Sequence, residues 1–260
     1  MSTRSIGFVG GGRVARILLG GLRHAGASPP TCVVSDADAS VLGDLEKQFP
    51  GIHSAGADNA EPARQDLVFG ALHPPVLKDV LPQIGQQLRP DSVFVSLAPV
   101  IRLPALKQAL GGFERIARLI PNAASVVGSG FNPIAFSDGL GTDEKKGLLD
   151  WLGALGECPE VADEDLEAYA ILTAMGPTYF WSQFEELEKL GAGFGLDPKM
   201  ARHALVQMLH GAVDTFFGAG LDTGTVMDLI PVKPLEAAEG SIRDAYRTCL
   251  GGLYRKLTQR

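Results

Sequence analysis

Over the first 135 or so residues, short apolar runs alternate with stretches of helical spacing. SIGFV (5–9), TCVVS (31–35), DLVFGAL (66–72), SVFVSLA (92–98) and RIARLI (115–120) read as strands. Several are apolar at nearly every position, as strands of a parallel sheet covered on both faces must be. Between them the period changes. Residues 13–25 put Val14, Ile17, Leu18 and Leu22 on one helical face, 40–48 form a second helix, and a third opens near Pro75 with Val76, Val80 and Leu81. Such alternation predicts right-handed βαβ units in a doubly wound sheet.

After about residue 140 the strand pattern stops. Residues 143–156 read as one amphipathic helix, and from Asp163 onward helical spacing dominates. Asp197-Pro198 marks a helix start, with Asp as N-cap and Pro at the first helical position. The helix that follows carries Leu205, Met208, Leu209, Val213 and Phe216 on a broad apolar stripe. Ser241 is expected to cap a last helix bearing Ile242, Leu250, Leu253 and Leu257. The expected architecture is α/β: a doubly wound sheet in residues 1–160, then an all-helical domain in 161–260. A helical half this small and this apolar calls for a partner, most simply a second copy.

Composition narrows the setting. The chain has 260 residues, 45% hydrophobic and 20% charged, the balance of a soluble globular protein. A net charge of −7 argues against a nucleic-acid surface. No window approaches the roughly 18 apolar residues of a membrane span, and the opening MSTRSIGFVGG lacks the apolar core of a signal segment. Cys32, Cys158 and Cys249 are scattered without paired spacing, so neither a disulfide framework nor a zinc site is expected. A reducing cytoplasm is the expected compartment.

The chemistry starts at Gly10-Gly11-Gly12-Arg13-Val14-Ala15, which fits G-x-G-x-x-A after a strand and at the start of a helix. Gly10 permits the tight turn, Gly12 lets backbone approach a pyrophosphate, and Ala15 allows close helix–strand packing. The helix N-terminus then offers free N–H groups and positive dipole to phosphates. The end of the second strand, VVSDADAS, places Ser35, Asp36 and Asp38 where an adenosine ribose would sit. Asp36 lies a little beyond the usual spacing of about 20 residues for the carboxylate that holds ribose hydroxyls. Two carboxylates repel a 2′-phosphate, so the sequence leans to NAD while Arg13 leaves NADP open.

Other polar clusters are plainer. His203 and His210 share a helical face but stand about 10 Å apart along the axis, too far to hold one metal without further ligands. EELEK (185–189) reads as a solvated helical face. Gly176-Pro177 inside a helical stretch is expected to bend its axis.

In several blocks, in order, the chain resembles the pyrroline-5-carboxylate reductase family. IGFVGGGRVARILLGGL is similar to its opening turn, where Asn-Met often stands in place of Arg13 and Val14. DLVFGALHP (66–74) is similar to its third-strand loop, RLIPNAASVVGSG (118–130) to its Arg-x-x-Pro-Asn segment, and TAMGPTYFWSQFEEL (173–187) to its Gly-Pro-x-Tyr helix. The resemblance implies a Rossmann-type domain in 1–160, a helical domain for substrate binding and dimerisation in 161–260, and hydride transfer between a nicotinamide and a cyclic imine. It places Gly10, Gly11, Gly12, Arg13 and Val14 at the pyrophosphate and Ser35 and Asp36 at the ribose. Ala71, Leu72, His73 and Pro74 fall on the nicotinamide side, with Pro121 and Asn122 beside the reacting centre. Asn122, Gly176, Pro177 and Lys233 are expected to meet substrate, and Thr173, Tyr179 and His73 are the candidate proton handlers.

One departure stands out. Where the family carries Ser-Pro-Gly-Gly-Thr-Thr to hold a substrate carboxylate, this chain reads VMDLIPVKPLEAAEG (226–240). Ile230, Pro231 and Val232 bring no hydroxyls, and Lys233 is the one cation offered. Two other readings stay open: a dinucleotide-binding protein without turnover, and a keto- or hydroxy-acid dehydrogenase of the same architecture. The absence of lysine from Leu172 to Glu188 counts against the β-hydroxyacid class. Deazaflavin-linked NADP reductases share the opening turn but fit the Gly-Pro-x-Tyr helix less well.

Overall fold

A computed structural model describes residues 5–259. The chain divides into two compact units. One runs to Met175 and takes in the chain from Leu253 onward; the other is Gly176–Gly252.

The first unit is built on a seven-stranded sheet in the order β3-β2-β1-β4-β5-β6-β8. Its strands are β1 (Ile6–Val9), β2 (Cys32–Ser35), β3 (His53–Ser54), β4 (Leu67–Gly70), β5 (Val93–Ser96), β6 (Ile116–Leu119) and β8 (Ile134–Phe136). All pairs are parallel except β6–β8, where Arg118 faces Ala135. The order reverses between β1 and β4, the switch point at which open α/β sheets bind ligands. Two short strands, β7 (Gly130–Phe131) and β9 (Gly156–Glu157), pair separately.

All five strands read from the sequence are present, each trimmed by one to three residues. Their apolar continuity follows from cover on both faces. Ile6, Phe8, Val34, Phe69 and Val95 point to one core, shared with α1 (Arg13–His24) and α6 (Thr142–Leu152). Val9, Val68 and Phe94 point to the other, under α4 (Pro74–Gly85) and α5 (Leu103–Ala109). Phe8 and Phe69 stack across β1 and β4 with ring centroids 4.8 Å apart. The remaining helices of this unit are α2 (Ala39–Gln48), α3 (Ala60–Ala63) and α7 (Leu166–Tyr169).

The second unit is helical: α8 (Thr178–Gly193), α9 (Pro198–Gly218), α10 (Thr223–Asp228) and α11 (Glu236–Ala245); α12 (Gly251–Thr258) starts at its end and falls mostly in the first unit. Asp197 caps α9 as expected, its side chain accepting from Met200 N–H. The apolar stripe of α9 is only partly covered: Leu205 and Leu209 are half-buried, while Met208, Val213 and Phe216, with Phe217 beside them, are exposed.

Three local expectations change. The helix expected over 143–156 is α only to Leu152; a 3-10 turn follows, and Gly156, at φ +119°, starts β9 where a helix cannot continue. Ser241 lies inside α11 rather than at its start, because Leu235 after Pro234 is the N-cap. Gly176-Pro177 separates two helical segments instead of bending one: a π segment spans Ala170–Ala174, and α8 begins after Pro177. Segment 161–175 goes with the first unit, where Leu166 and Ala170 pack on Ile120 and Ala135. Among the described residues no helix is long and apolar enough to cross a membrane.

Close packing of α1 on the turn after β6 gives a stability test. A Cβ on Gly21 would lie 2.1 Å from the Ser125 carbonyl oxygen. Gly21→Ala is therefore expected to cost about 1–3 kcal/mol or more in urea denaturation. Gly43→Ala, in α2 with nothing within 4 Å of the new methyl, should instead stabilise by about 0.5–1 kcal/mol.

Candidate active site

The glycine turn sits where β1, β2 and β4 end together. Gly10 adopts φ +106°, and a Cβ there would come within 2.7 Å of the Ala71 carbonyl oxygen. Only a bare backbone passes. Gly12 is the N-cap of α1, and a Cβ on it would meet nothing within 4 Å, so the space before the helix is open. The first turn of α1 holds no acid, and Arg13 is exposed there. Free N–H groups, positive dipole and one cation thus face an open approach.

The β2 end secures this turn. Gly10 N–H donates to the Ser35 carbonyl at 2.8 Å. Gly11 N–H donates to Asp36 Oδ2 at 2.9 Å, and Asp38 N–H to Asp36 Oδ1 at 3.0 Å. Asp38 itself caps α2, accepting from the Ser40 N–H and hydroxyl, and the hydroxyl bond holds its carboxyl below the usual range. Ser35 is buried and its hydroxyl donates to Asn59 Oδ1 at 2.7 Å. Of the acids expected near the ribose, Asp38 is committed to the helix, while Asp36 stands at the turn.

The β4 end adds the second wall. Ala71 N–H donates to the Val9 carbonyl at 2.8 Å. Val14 and Ala71 pack half-buried against the core cluster of α1 and α6, and Leu72 against the core on the opposite face of the sheet. His73 is exposed at the N-cap of α4 without a side-chain capping bond, and Pro74 is the first helical residue.

At the end of β6, Pro121 leads into Asn122, which is buried. Asn122 Oδ1 accepts from Ala124 N–H at 2.7 Å, and its Nδ2 donates to the Thr173 carbonyl at 2.5 Å. The sequence explains the second bond. In an α-helix the Thr173 carbonyl would take the N–H four residues on, and that residue is Pro177, which has none. The freed acceptor goes to Asn122. The Thr173 hydroxyl donates to the Tyr169 carbonyl at 2.8 Å, so its proton is used within its own helix.

Gly176, Pro177, Tyr179 and Lys233 belong to the other unit. Tyr179 lies edge-on to Tyr246 with centroids 5.8 Å apart, and burial, with Tyr246, raises its phenol pKa. Lys233 is half-buried, in a segment where Ile230, Val232 and Leu235 are about 70% exposed (69%, 71% and 69%). His203 and His210 form no metal cluster among the described residues. Burial pushes the Cys32 and Cys158 thiols up to about 12, so neither supplies a thiolate at neutral pH.

Sequence reasoning passed over a buried ion cluster in the first unit. Arg118, on β6, is fully buried and pairs with Asp163 and Glu167, each at 2.6 Å. The signal was an arginine inside an otherwise apolar strand, followed much later by the acidic run DEDLE (163–167). A charge at such a position demands a partner. Asn132 was also missed; its Oδ1 takes the Asn122 N–H and the Ser125 hydroxyl, both at 2.8 Å.

Comparison with known proteins bears on these elements together. Residues 5–99 match a family model described as NADP oxidoreductase, coenzyme F420-dependent. Pyrroline-5-carboxylate reductase 1 of Bacillus spizizenii is 25% identical over 229 residues, covering 87% of this chain and 77% of the relative. A pyrroline-5-carboxylate reductase structure from Coxiella burnetii superposes with a TM-score of 0.70 at 25% identity, over 99% of this chain and 96% of that one. Over most of its length the chain is similar to pyrroline-5-carboxylate reductases. The Plasmodium falciparum pyrroline carboxylate reductase, solved with NADP bound, shares the fold at a TM-score of 0.84 and 19% identity, over 100% and 98% of the two chains. The likeness to these reductases thus runs through both units and does not stop with the glycine turn.

The double duty of Asn122 is testable. Asn122→Asp keeps an acceptor for Ala124 N–H but sets a carboxylate against the Thr173 carbonyl. Urea denaturation at neutral pH should show a loss of about 1–3 kcal/mol, larger than that for Asn122→Ser.

Proposed function

We propose that this chain is an NAD(P)-dependent oxidoreductase that transfers hydride between a nicotinamide and a small cyclic imine. The observation that carries the reading is the turn at Gly10–Arg13, open in front of α1 and tied to Asp36 through Gly11 N–H. The named activity of its relatives supports the same chemistry.

Gly12 and Arg13 would hold a pyrophosphate through backbone N–H groups and one guanidinium, while Gly10 and Gly11, whose N–H groups are bonded to Ser35 and Asp36, would let the backbone approach it. Asp36, anchored by one oxygen to the turn, would accept from ribose hydroxyls. Ala71, Leu72, His73 and Pro74 would flank the nicotinamide half, with Pro121 and Asn122 beyond. When bound, the cofactor supplies the hydride, leaving the protein to position the acceptor carbon, exclude water and deliver a proton. Thr173 donates its hydroxyl proton internally, so its part is positioning. His73 and Tyr179 remain as proton donors, and a raised phenol pKa keeps Tyr179 protonated. Segment 226–240 presents Ile230, Val232 and Lys233 where the family motif presents hydroxyls, so the cognate imine need not carry the family's carboxylate.

NAD is the preferred cofactor in this reading. The Asp36 carboxylate at the turn repels a 2′-phosphate, and Asp38 adds a second negative charge one helical cap away. The exposed apolar residues of the second unit, among them Trp181, Phe194, Met208 and Phe217, fit burial against a second copy. A cytoplasmic homodimer is the working assembly.

Four measurements test this. NADH should bind at least ten-fold more tightly than NADPH by titration calorimetry, and Asp36→Asn should narrow the ratio. At 100 times its Kd, NADH should stabilise the fold by about 2.7 kcal/mol; no shift with either nucleotide would overturn the reading. Oxidation of NADH against cyclic imines with and without a carboxylate, and against keto acids, identifies the substrate. Tight binding with no turnover would favour a silent dinucleotide-binding protein. Sedimentation should give about twice the 27.4 kDa of one chain.

A further inference from the structure

Val100 is, among the described residues, the one non-glycine with positive φ, at +77°. A β-branched residue is poorly suited to that conformation, and such strain persists only where surroundings over-determine it. Here the surroundings are the buried ion cluster. Val100 N–H donates to Glu167 Oε1 at 2.9 Å, and that oxygen also takes Arg118 Nη2 at 2.6 Å. Three residues on, Leu103 N–H donates to Asp163 Oδ2 at 3.1 Å, while Asp163 Oδ1 takes Arg118 Nη1 at 2.6 Å. One arginine on β6 therefore holds two acids, and each acid holds one end of the loop after β5.

The cluster is a poor device for stability alone. Arg118 and Glu167 are 0% and 1% exposed, and neither Arg118 Nε nor Glu167 Oε2 has a hydrogen-bond partner among the described residues. Buried ion pairs with unmet valences are commonly no better than apolar side chains of the same volume. What the cluster does uniquely is fix backbone at one place.

That place is informative. Leu97 N–H donates to the Gly70 carbonyl at 3.0 Å, so the loop starts beside the end of β4. The β4 end in turn meets the glycine turn at Gly10 and Ala71. Asp36 marks the adenosine side, toward β2. The loop 97–103 lies across the switch point from it, on the side left for the nicotinamide.

We propose that Glu167 is a positioning residue which latches loop 97–103, through Val100 N–H, into the shape that receives the nicotinamide half of the cofactor. The proposal rests on the dinucleotide reading above. Glu167 touches no ligand in this account; it acts through the loop.

The test compares two probes on the full-length protein: NADH, which spans the whole cleft, and ADP-ribose, which lacks the nicotinamide. Both are titrated calorimetrically against wild type, Glu167→Ala, Glu167→Gln and Val100→Gly. Glu167→Ala should weaken NADH about ten-fold or more and leave ADP-ribose within two-fold. Glu167→Gln, which keeps an acceptor for Val100 N–H, should recover most of the loss. Val100→Gly keeps the N–H that Glu167 accepts and removes only the strain, so it should fold at least as stably as wild type and leave both probes within two-fold. If Glu167→Ala fails to fold, Glu167→Met, which fills the space without an acceptor, takes its place and should show the same loss of NADH alone. An unchanged NADH to ADP-ribose ratio in the folded Glu167→Ala or Glu167→Met variant, or a parallel loss of both probes, would overturn the latch while wild-type binding upheld the cofactor reading. Wild type that bound neither probe would overturn both.

Discussion

At Gly10 the backbone occupies space that any side chain would deny it. The chain leaves β1 with positive φ and runs against the Ala71 carbonyl, while the next N–H is held by Asp36. This close approach brings three strand ends into register at one edge of the sheet. Widening it by a single methyl would push β4 from β1, and the stacked Phe8 and Phe69 beneath would lose their contact. The open front of α1, the acid at the end of β2 and the loop after β4 keep their relative places because the turn is this tight.

The arrangement has an electrostatic logic. Asp36 is a carboxylate at the mouth of a helix whose dipole is positive, and it is satisfied by backbone rather than by a cation. Its charge is not neutralised by a neighbouring arginine, so it still acts on whatever approaches β2. On the far side of the sheet the reverse holds. Arg118 is enclosed by two carboxylates, and its charge is felt only by the backbone those acids grip. One acid stands at an open turn and the others are held within the fold.

Much of this was legible in the residues. The five core strands announce themselves as apolar runs because both faces are covered, and α1, α2 and α4 by helical spacing between them. The N-cap at Asp197 and the glycine turn follow from local chemistry, which needs no tertiary context. What escaped depended on distant partners. β8 pairs antiparallel with β6 through only three residues, too few for any period to show. Ser241 reads as a cap by composition, yet Pro234 fixes the helix start upstream. The roles of Arg118, Glu167 and Asn132 exist only once residues tens of positions apart meet. Of the residues expected at the site, the glycines form the tight turn after β1, and Asp36 follows β2 and is bonded to that turn. Ser35 and Asp38 sit beside them with their side chains turned to other work.

The missing N–H of Pro177 has a consequence for how the protein assembles. Because Pro177 has no N–H to give the Thr173 carbonyl, that acceptor takes an amide 51 residues earlier in the chain, on Asn122. Asn122 in turn completes the cap of the turn over Ala123–Val127. Neither end is finished until the other arrives. The two segments therefore form one cooperative unit of high contact order, and they open together when the native state breathes.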